Sequence, residues 1–315
     1  MIIARKVPME NTRRSYSSLN NGLASRLKEA VLLAGWKNKN LPEKVRTLLA
    51  RLNEAQADIE SLSRRPTQHQ HMLEIGPGQR FRQMNFFARN NDVLGIDLDE
   101  LVQGFSPAGY VRMLRANGFT RVAKTLGRKV IGMDRAFDRE MDRQIGSDAP
   151  KHFNVQRMDA GAMQFPAASF DVVYSYAVFE HIPDPERVMN EITRILKPGG
   201  VVHITLHLWT SDSGCHDPRV FSGRRDDVPL WAHLRPKHAD DVKPNAYLNK
   251  LRLNDWNDIA SRVWPDARTK LQQFSAYRLR PKIAELRSQN ELADYTDDEL
   301  LTTDYVVYWQ KPLAV

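Results

Sequence analysis

The stretch Leu73-Glu74-Ile75-Gly76-Pro77-Gly78-Gln79 decides how this chain folds, because an apolar run ends there in a glycine-rich turn. The pattern predicts a strand over residues 72–75, then the turn, then a helix over 81–89. Small residues in such a turn let backbone N–H groups approach a ligand closely, and the start of the next helix favours negative charge. The turn alone also fits a simple tight connection, so neighbouring residues must decide its role.

The second predicted strand, residues 93–96, ends at an acidic residue that suits a nucleoside ligand. Asp97 follows the glycines by about 20 residues, a distance at which a carboxylate can accept hydrogen bonds from ribose hydroxyls. We interpret its neighbour Asp99 as the cap of the next helix. A nicotinamide-dinucleotide enzyme shares these features, but its fingerprint has glycine three residues after Gly78, where this chain has Phe81.

Short apolar runs alternate with helical patterns along the remaining chain. Further strands are predicted over residues 154–158, 170–175, 201–206, 269–274 and 304–309, and further helices over 185–196 and 253–263. Strands that alternate with helices favour a mostly parallel sheet covered on both faces. The sequence therefore predicts an α/β fold of the Rossmann-like, doubly wound type with a seven-stranded sheet.

Residues 1–66 are predicted to form a basic helical segment in front of a domain over 67–315. Helices are expected over 20–35 and 41–63, and in the second helix apolar residues recur at helical spacing. The stripe consists of Val45, Leu48, Leu49, Leu52, Ile59 and Leu62. It can dock on the main body, which we favour, or on a second subunit, which would make an oligomer through these helices.

About 50 residues, 103–152, separate the second and third predicted strands, far more than an ordinary connection in such a sheet. We interpret them as a helical insertion at the ligand-binding edge. Residues 102–133 include six Lys or Arg and no Asp or Glu, and Arg121, Lys124 and Arg128 share one helical face. This pattern is typical either of a docking face for an anionic acceptor or of solvated helix faces.

A series of short motifs follows in order along the predicted strands and loops. The motifs are Met158-Asp159-Ala160, Phe165-Pro166, Phe170-Asp171-Val172-Val173-Tyr174-Ser175, Phe179-Glu180-His181-Ile182-Pro183-Asp184 and Leu196-Lys197-Pro198-Gly199-Gly200. With the glycine turn and Asp97, this set closely resembles class I S-adenosylmethionine-dependent methyltransferases. The resemblance covers residues 72–206 outside the insertion, and it implies S-adenosylmethionine as the cofactor and methyl transfer as the activity.

The resemblance assigns cofactor-binding roles to residues at the ends of the first four strands. They are Glu74, Gly76, Pro77 and Gly78 for the methionine and ribose, Asp97 for the ribose hydroxyls, Leu98, Asp159 and Ala160 for the adenine, and Ser175 and Tyr176 at the transfer site. One departure is Arg80, where the family often has a third glycine. The turn must therefore open differently, or Arg80 must point outward.

His181 is the predicted general base, because a hydroxyl acceptor must lose a proton and this residue follows the fourth strand. The alternative is that His181 only organises its loop, and Glu180 is interpreted as structural. The C-terminal part, about 207–315, is expected to bind the acceptor through a polar loop. Its candidate residues are His207, Asp212, His216 and Asp217. No ligand pair has the spacing of a metal motif, so no metal site is expected.

The composition limits the protein class and the expected location. The chain has 315 residues, a formal charge of +8 and one cysteine, Cys215, so an internal disulfide is excluded. No apolar run approaches the roughly 20 residues that span a bilayer, and the start is not a secretory signal, so a cytoplasmic location is expected.

We predict methyl transfer to a polar acceptor, a hydroxyl of a small molecule or glycan, which is anionic if the basic insertion docks it. One alternative is an RNA methyltransferase, although no RNA-binding module is recognisable and a nucleic acid partner is not expected. The other alternative is a non-catalytic protein that binds S-adenosylmethionine.

Overall fold

A computed structural model of the protein describes residues 40–130, 132–150, 152–221 and 224–313. Its strands are β1 (His71–Ile75), β2 (Asp92–Asp97), β3 (Asn154–Arg157), β4 (Phe170–Tyr176), β5 (Leu196–His207), β6 (Arg268–Gln272) and β7 (Asp304–Gln310). In this part of the chain they form one sheet of seven strands in the order β3-β2-β1-β4-β5-β7-β6. The first five strands are parallel, and β7 runs antiparallel between β5 and β6. The predicted fold class is confirmed.

The helices flank this sheet and begin where the local sequence favours a helix start. They are α1 (Leu41–Ser63), α2 (Arg82–Phe87), α3 (Pro107–Asn117), α4 (Phe119–Val130), α5 (Met133–Ile145), α6 (Pro185–Ile195), α7 (Leu253–Val263), α8 (Ala276–Ser288) and α9 (Asp297–Leu301). The side chain of Asp184 caps α6 by accepting a hydrogen bond from the Arg187 N–H at 3.0 Å. Thr296 and Glu299 form a reciprocal capping box at the start of α9.

Two hydrophobic cores lie on opposite faces of the sheet. On one face, α6 and α7 pack against alternate residues of the central strands, including Leu73, Val173 and Val202. On the other face, α1, α2 and α5 cover the intervening residues, including Met72 and Val172. Because successive strand residues point to opposite faces, these strands are apolar almost throughout, as the short apolar runs predicted.

The stripe of α1 packs onto the sheet, as the favoured interpretation has it. Val45 and Ile59 are fully buried in the second core. A polar contact fixes the same helix to the sheet edge: Asp58 accepts hydrogen bonds from Lys270 Nζ at 2.6 and 2.8 Å, and its Oδ2 lies 3.4 Å from His203 Nε2. Helix α1 is therefore part of the same folded body as β5 and β6.

We expect Asp58→Ala to lower the free energy of unfolding by about 1.5–3 kcal/mol at pH 7, the range for hydrogen bonds to a charged group. Burial opposes the ionised form of Asp58, but His203 and Lys270 outweigh it and lower its pKa. A lowered pKa stabilises the fold above the ordinary value of 3.8, and this contribution is lost as the pH falls through the lowered pKa.

Urea unfolding at several pH values measures the effect of Asp58→Ala. The matched control is Glu43→Ala on the same helix, where an exposed i,i+3 pair with Arg46 should contribute about 0–1 kcal/mol. Equal unfolding free energies for the two variants would contradict the role given to Asp58.

The insertion between β2 and β3 contains the three helices α3, α4 and α5. Several of its basic side chains bind within the protein. Arg121 forms an ion pair with Asp99 at 3.0 Å, Arg112 pairs with Glu100 at 2.7 Å, and Lys129 donates to two backbone carbonyl groups. None of the helices in the described residues combines the length and the apolar character that a membrane crossing requires.

One predicted helix cap and some predicted element boundaries were wrong. Asp99 does not cap a helix: Ser106 caps α3, accepting a hydrogen bond from the Gly109 N–H at 3.1 Å. Strand β5 begins at Leu196 rather than at residue 201, because Leu196 already pairs with Phe170 ahead of a register shift. The helix predicted over 81–89 is shortened to Arg82–Phe87 by a 3₁₀ turn that precedes it. The helix predicted over 20–35 lies outside the described residues.

Candidate active site

The glycine turn follows β1 and uses backbone conformations that glycine adopts without strain. Gly76 has φ 75° and Gly78 has φ 59°. The N–H of Gly76 donates to the carbonyl of Ile96 at 2.8 Å, which fixes the turn to β2. A Cβ atom at Gly76 would lie 2.4 Å from Val178 Cγ2, whereas one at Gly78 would meet no atom within 4 Å. The space beside Gly78 is therefore open to an approaching ligand.

Asp97 ends β2 beside this turn. Its Oδ2 accepts from the Gly78 N–H at 3.3 Å, and its Oδ1 accepts from the Asp99 N–H at 2.9 Å. Burial raises the pKa of Asp97 to about 6, the Asp99 carboxylate adds to this increase, and the two N–H groups and Arg121 oppose it. The carboxylate is thus charged at pH 7, little hydrated, and able to accept further hydrogen bonds from hydroxyl groups.

The end of β3 lies next to Asp97, as predicted. The N–H of Met158 donates to the Asp97 carbonyl at 2.9 Å, so Asp159 and Ala160 follow at the same edge. Asp159 accepts from the Gly161 N–H at 2.8 Å, and its side chain is half exposed. Leu98 is also exposed, at 58 %. This edge therefore offers an apolar side chain and a carboxylate to a ligand that extends beyond Asp97.

Two of the predicted cofactor residues have buried side chains that support the turn. Glu74 is 1 % exposed, and the Tyr174 hydroxyl donates to its Oε2 at 2.6 Å. Burial raises the pKa of Glu74 to about 8. Ser175 is buried as well, and its hydroxyl donates to the Ile75 carbonyl at 2.9 Å. Their predicted ligand contacts stay predictions.

Arg80, which stands where the family often has a third glycine, lies in a short 3₁₀ turn. Residues Gly78–Arg80 form a 3₁₀ turn, and Phe81 takes the left-handed conformation with φ 50°. This conformation costs a non-glycine residue roughly 1–2 kcal/mol. Phe81 is buried and stacks on Phe153 at a ring distance of 5.6 Å, and this packing offsets the strain.

A connected group of polar side chains, here called the polar cluster, lies at the ends of β4, β5 and β7. The Tyr176 hydroxyl accepts a hydrogen bond from Arg51 of α1, whose Nη1 also lies 3.4 Å from Asp304 Oδ2. Asp304 and His207 face each other in the β5–β7 register, and the Asp304 Oδ1–His207 Nδ1 distance is 3.3 Å. On the other side of the ring, His207 Nε2 lies 2.9 Å from Ser213 Oγ. Sequence reasoning named His207 and Tyr176 but missed Arg51 and Asp304.

His181 lies beside the polar cluster in a short 3₁₀ turn, Phe179–His181, and its side chain is largely buried. Its Nδ1–H donates to the Tyr247 carbonyl at 2.7 Å, so the neutral ring keeps Nε2 as an acceptor. Burial lowers the pKa of His181 to about 4. The ring is therefore neutral at pH 7 and accepts a proton weakly.

The loop after β5 is tied internally by ion pairs. Asp212 pairs with Arg225 at 3.0 Å, and Asp217 pairs with Arg219 at 2.6 Å, so both predicted acceptor carboxylates already have cationic partners. The Cys215 thiol is buried, and burial raises its pKa. A buried thiol with a raised pKa is a poor nucleophile.

The described residues thus form one edge where the open glycine turn, the Asp97 carboxylate and the exposed Leu98 and Asp159 meet. These groups fit an adenosine-bearing ligand, since Asp97 suits ribose hydroxyls and Leu98 suits a base. In open α/β sheets of this kind, ligands bind at this edge.

Comparisons with known proteins find similarity to methyltransferases. A family model described as a methyltransferase domain matches residues 115–204. An uncharacterized methyltransferase of Mycobacterium leprae (strain TN) is 29% identical over 124 residues, 38% of this chain and 46% of the relative. The phosphatidylethanolamine N-methyltransferase of Cereibacter sphaeroides is 35% identical over 69 residues, 22% of this chain and 33% of that protein. The chain spans less than half the length of either relative.

Among solved structures, phosphoethanolamine N-methyltransferase 2 of Haemonchus contortus in complex with S-adenosyl-L-methionine is 17% identical. The match covers 82% of this chain and 52% of that protein, with a TM-score of 0.43. These findings confirm the predicted resemblance to class I S-adenosylmethionine-dependent methyltransferases, with S-adenosylmethionine as the cofactor.

Proposed function

We propose that this protein transfers a methyl group from S-adenosylmethionine to a hydroxyl of a polar small molecule or glycan. One observation supports this most directly: Gly78 and Asp97 are joined by a hydrogen bond at the carboxyl edge of the sheet, beside the end of β3. Ligands of open α/β sheets bind at this edge. The match to a methyltransferase-domain family supports the same activity.

The residues that would hold the donor follow from this edge. Asp97 would accept from the ribose hydroxyls, Leu98 would pack on the adenine, and Asp159 with the Ala160 N–H would contact the adenine edge. Bound S-adenosylmethionine supplies a methyl group already activated on a sulfonium. The protein then mainly aligns the acceptor with that group, and alignment can contribute up to about 7–11 kcal/mol.

The proton of a hydroxyl acceptor needs a base at the ends of β4 and β5. His181, the predicted base, is neutral but weakly basic, since burial lowers its pKa to about 4. His207 is better supported for this role, because Asp304 Oδ1 lies 3.3 Å from its Nδ1 and can orient the ring. Tyr176 and Arg51 would border the same space.

An anionic acceptor has less support than a neutral one. Within the described part of the insertion, Arg112 and Arg121 pair with carboxylates, and Lys129 binds carbonyl groups. These contacts are typical of side chains that hold the insertion together. The basic stretch therefore favours a structural role for much of its charge.

The test is methyl transfer from radiolabelled donor to a panel of hydroxylated small molecules and glycans, with mixed RNA as a separate arm. Labelled hydroxyl acceptors support the proposal. Labelling of RNA alone would favour the RNA alternative, and donor binding without transfer to any acceptor would favour a non-catalytic binding protein. A protein that binds neither S-adenosylmethionine nor S-adenosylhomocysteine would end the proposal.

For an acceptor found in this way, we expect His207→Gln to lower kcat by about 10²–10⁴-fold, the usual contribution of a general base. Donor affinity should stay unchanged, because His207 lies outside the donor edge. His181→Gln is the comparison variant, and His152→Gln at an exposed position is the control. A larger loss of kcat in His181→Gln than in His207→Gln would instead identify His181 as the base.

A further inference from the structure

Three side chains of types that commonly bind metal ions lie close together beside the predicted acceptor site. Glu180 and His181 come from the turn after β4, and His216 comes from the loop after β5. Glu180 Oε1 lies 3.9 Å from His181 Nε2 and 3.9 Å from His216 Nε2. One ligand atom from each residue lies within 4.8 Å of the other two.

Glu180 and His216 present polar atoms whose hydrogen-bonding needs are unmet among the described residues. Glu180 is only 2 % exposed, and although the backbone N–H groups of Glu180 and His207 interact with its carboxylate, neither oxygen makes a hydrogen bond of normal geometry there. His216 Nε2 is buried in the same way. Burying a polar group without a partner costs roughly 1–3 kcal/mol, and more for a charged group. A cation between these atoms would remove that cost.

The nitrogen atoms have the tautomer and the support that ligation needs. His181 donates its Nδ1–H to the Tyr247 carbonyl, which directs the lone pair of Nε2 toward Glu180. Histidine ligands in proteins usually donate the other ring N–H to a carbonyl or carboxylate in this way. The His181 and His216 rings meet edge to face at 4.8 Å, and each Nε2 lies 3.9 Å from Glu180 Oε1.

One segment of the chain holds both halves of the cluster. Asn249 Nδ2 donates to the carbonyls of Phe179 and Ile182 at 2.8 and 3.0 Å, and its backbone N–H donates to the Glu180 carbonyl at 2.9 Å. The Asn245 N–H donates to the His216 carbonyl at 3.2 Å. The two loops are therefore held at a fixed separation by residues that lie outside the cluster.

We propose that Glu180, His181 and His216 bind one divalent first-row transition metal ion, of which zinc is the best match. Two imidazoles and one carboxylate are ligands typical of Zn²⁺ or Fe²⁺, whereas Mg²⁺ and Ca²⁺ prefer oxygen ligands. Zinc ligands at about 2.0–2.1 Å lie about 3.4 Å apart, so side-chain shifts of about 1 Å close the site. A fourth position remains for water or for an oxygen atom of the acceptor.

This metal site is independent of methyl transfer. It would join the turn after β4 to the loop after β5 whether or not an acceptor is bound. In this proposal His181 is a metal ligand, and His207 remains the proposed base. The His207 ring lies 5.1 Å from the His216 ring.

The experiment is a Zn²⁺ titration of the full chain after treatment with a chelator, with a chromophoric chelator as competitor. The wild-type protein should bind about one equivalent, and Glu180→Gln and His216→Asn should each weaken binding about 100-fold or more. His152→Asn, at an exposed position, and Cys215→Ala, next to the cluster, are the controls and should bind as the wild type does. Mg²⁺ should not compete.

A second measurement needs no variant and so does not depend on their folding. Co²⁺ in place of zinc should give a visible spectrum without thiolate charge transfer, because Cys215 is not a ligand. Zinc binding that survives both ligand variants, a thiolate band, or wild-type protein that binds no zinc would each overturn the proposal. Binding of S-adenosylhomocysteine is measured in parallel, and its loss with intact zinc binding would count against the proposed function alone.

Discussion

Asp97→Asn should weaken the binding of S-adenosylhomocysteine by about 10- to 140-fold, the equivalent of about 1.5–3 kcal/mol for hydrogen bonds to a charged group. The amide keeps the size of the carboxylate and one acceptor oxygen, so the loss of affinity measures the contribution of the negative charge. Isothermal titration calorimetry gives the dissociation constant without turnover. The control is Asp92→Asn at the opposite end of β2, where the side chain is 82 % exposed.

The same carboxylate should make donor binding depend on pH. The pKa of Asp97 is raised to about 6, chiefly by burial and also by Asp99, while Arg121 opposes the increase. Glu74 is the next acidic neighbour. Since the ionised form accepts the hydroxyl hydrogen bonds, affinity is lost as the pH falls below 6. It should be about tenfold weaker at pH 5 than at pH 8. The Asn variant should lose this dependence, and a wild-type affinity independent of pH would contradict the role of Asp97.

Gly76→Ala should reduce donor binding still more, because two penalties act at one position. A left-handed backbone costs alanine about 1–2 kcal/mol, and crowding in a packed region costs about 1–3 kcal/mol. The new Cβ would lie 2.4 Å from Val178 Cγ2. The expected sum is about 2–5 kcal/mol, seen as a lower melting temperature and weaker binding of S-adenosylhomocysteine.

Gly78 provides the matched control for this prediction. It is also left-handed, with φ 59°, but a Cβ there would meet no atom within 4 Å. In the melting temperature without ligand, Gly78→Ala should therefore show the backbone cost alone. Val178→Ala in the Gly76→Ala background should recover the part that is due to crowding. If both alanine variants behave alike and Val178→Ala restores nothing, the close approach of Val178 to Gly76 is not what limits the site.

Much of the sheet, and the position of Asp97 beside the glycine turn, could be predicted from sequence because their signals are local. Strand β1, the glycine turn and Asp97 lie within about 25 residues, the scale on which such fingerprints work. Apolar runs bounded by glycine and proline marked the central strands for the same reason. The left-handed conformation of Phe81 could not be predicted locally. Its energetic cost is offset by packing on Phe153, which lies 72 positions away in the chain.

The proposed acceptor side could not be predicted because it is assembled from distant segments. Asp304 reaches His207 through the β5–β7 register, and Arg51 reaches both Asp304 and Tyr176 from α1. Neither contact leaves a spacing in the sequence. Glu180 and His216 meet across a long loop for the same reason, and no metal-motif spacing reveals them.

The position of β7 also bears on how the protein matures. In the described sheet, β6 pairs with β7 alone, so β6 leaves the ribosome before its neighbour exists and must wait for it. Asp304 arrives with that closing strand and completes the pair with His207. A nascent chain therefore makes the strands on both sides of the glycine turn well before the segment that brings Asp304 to His207.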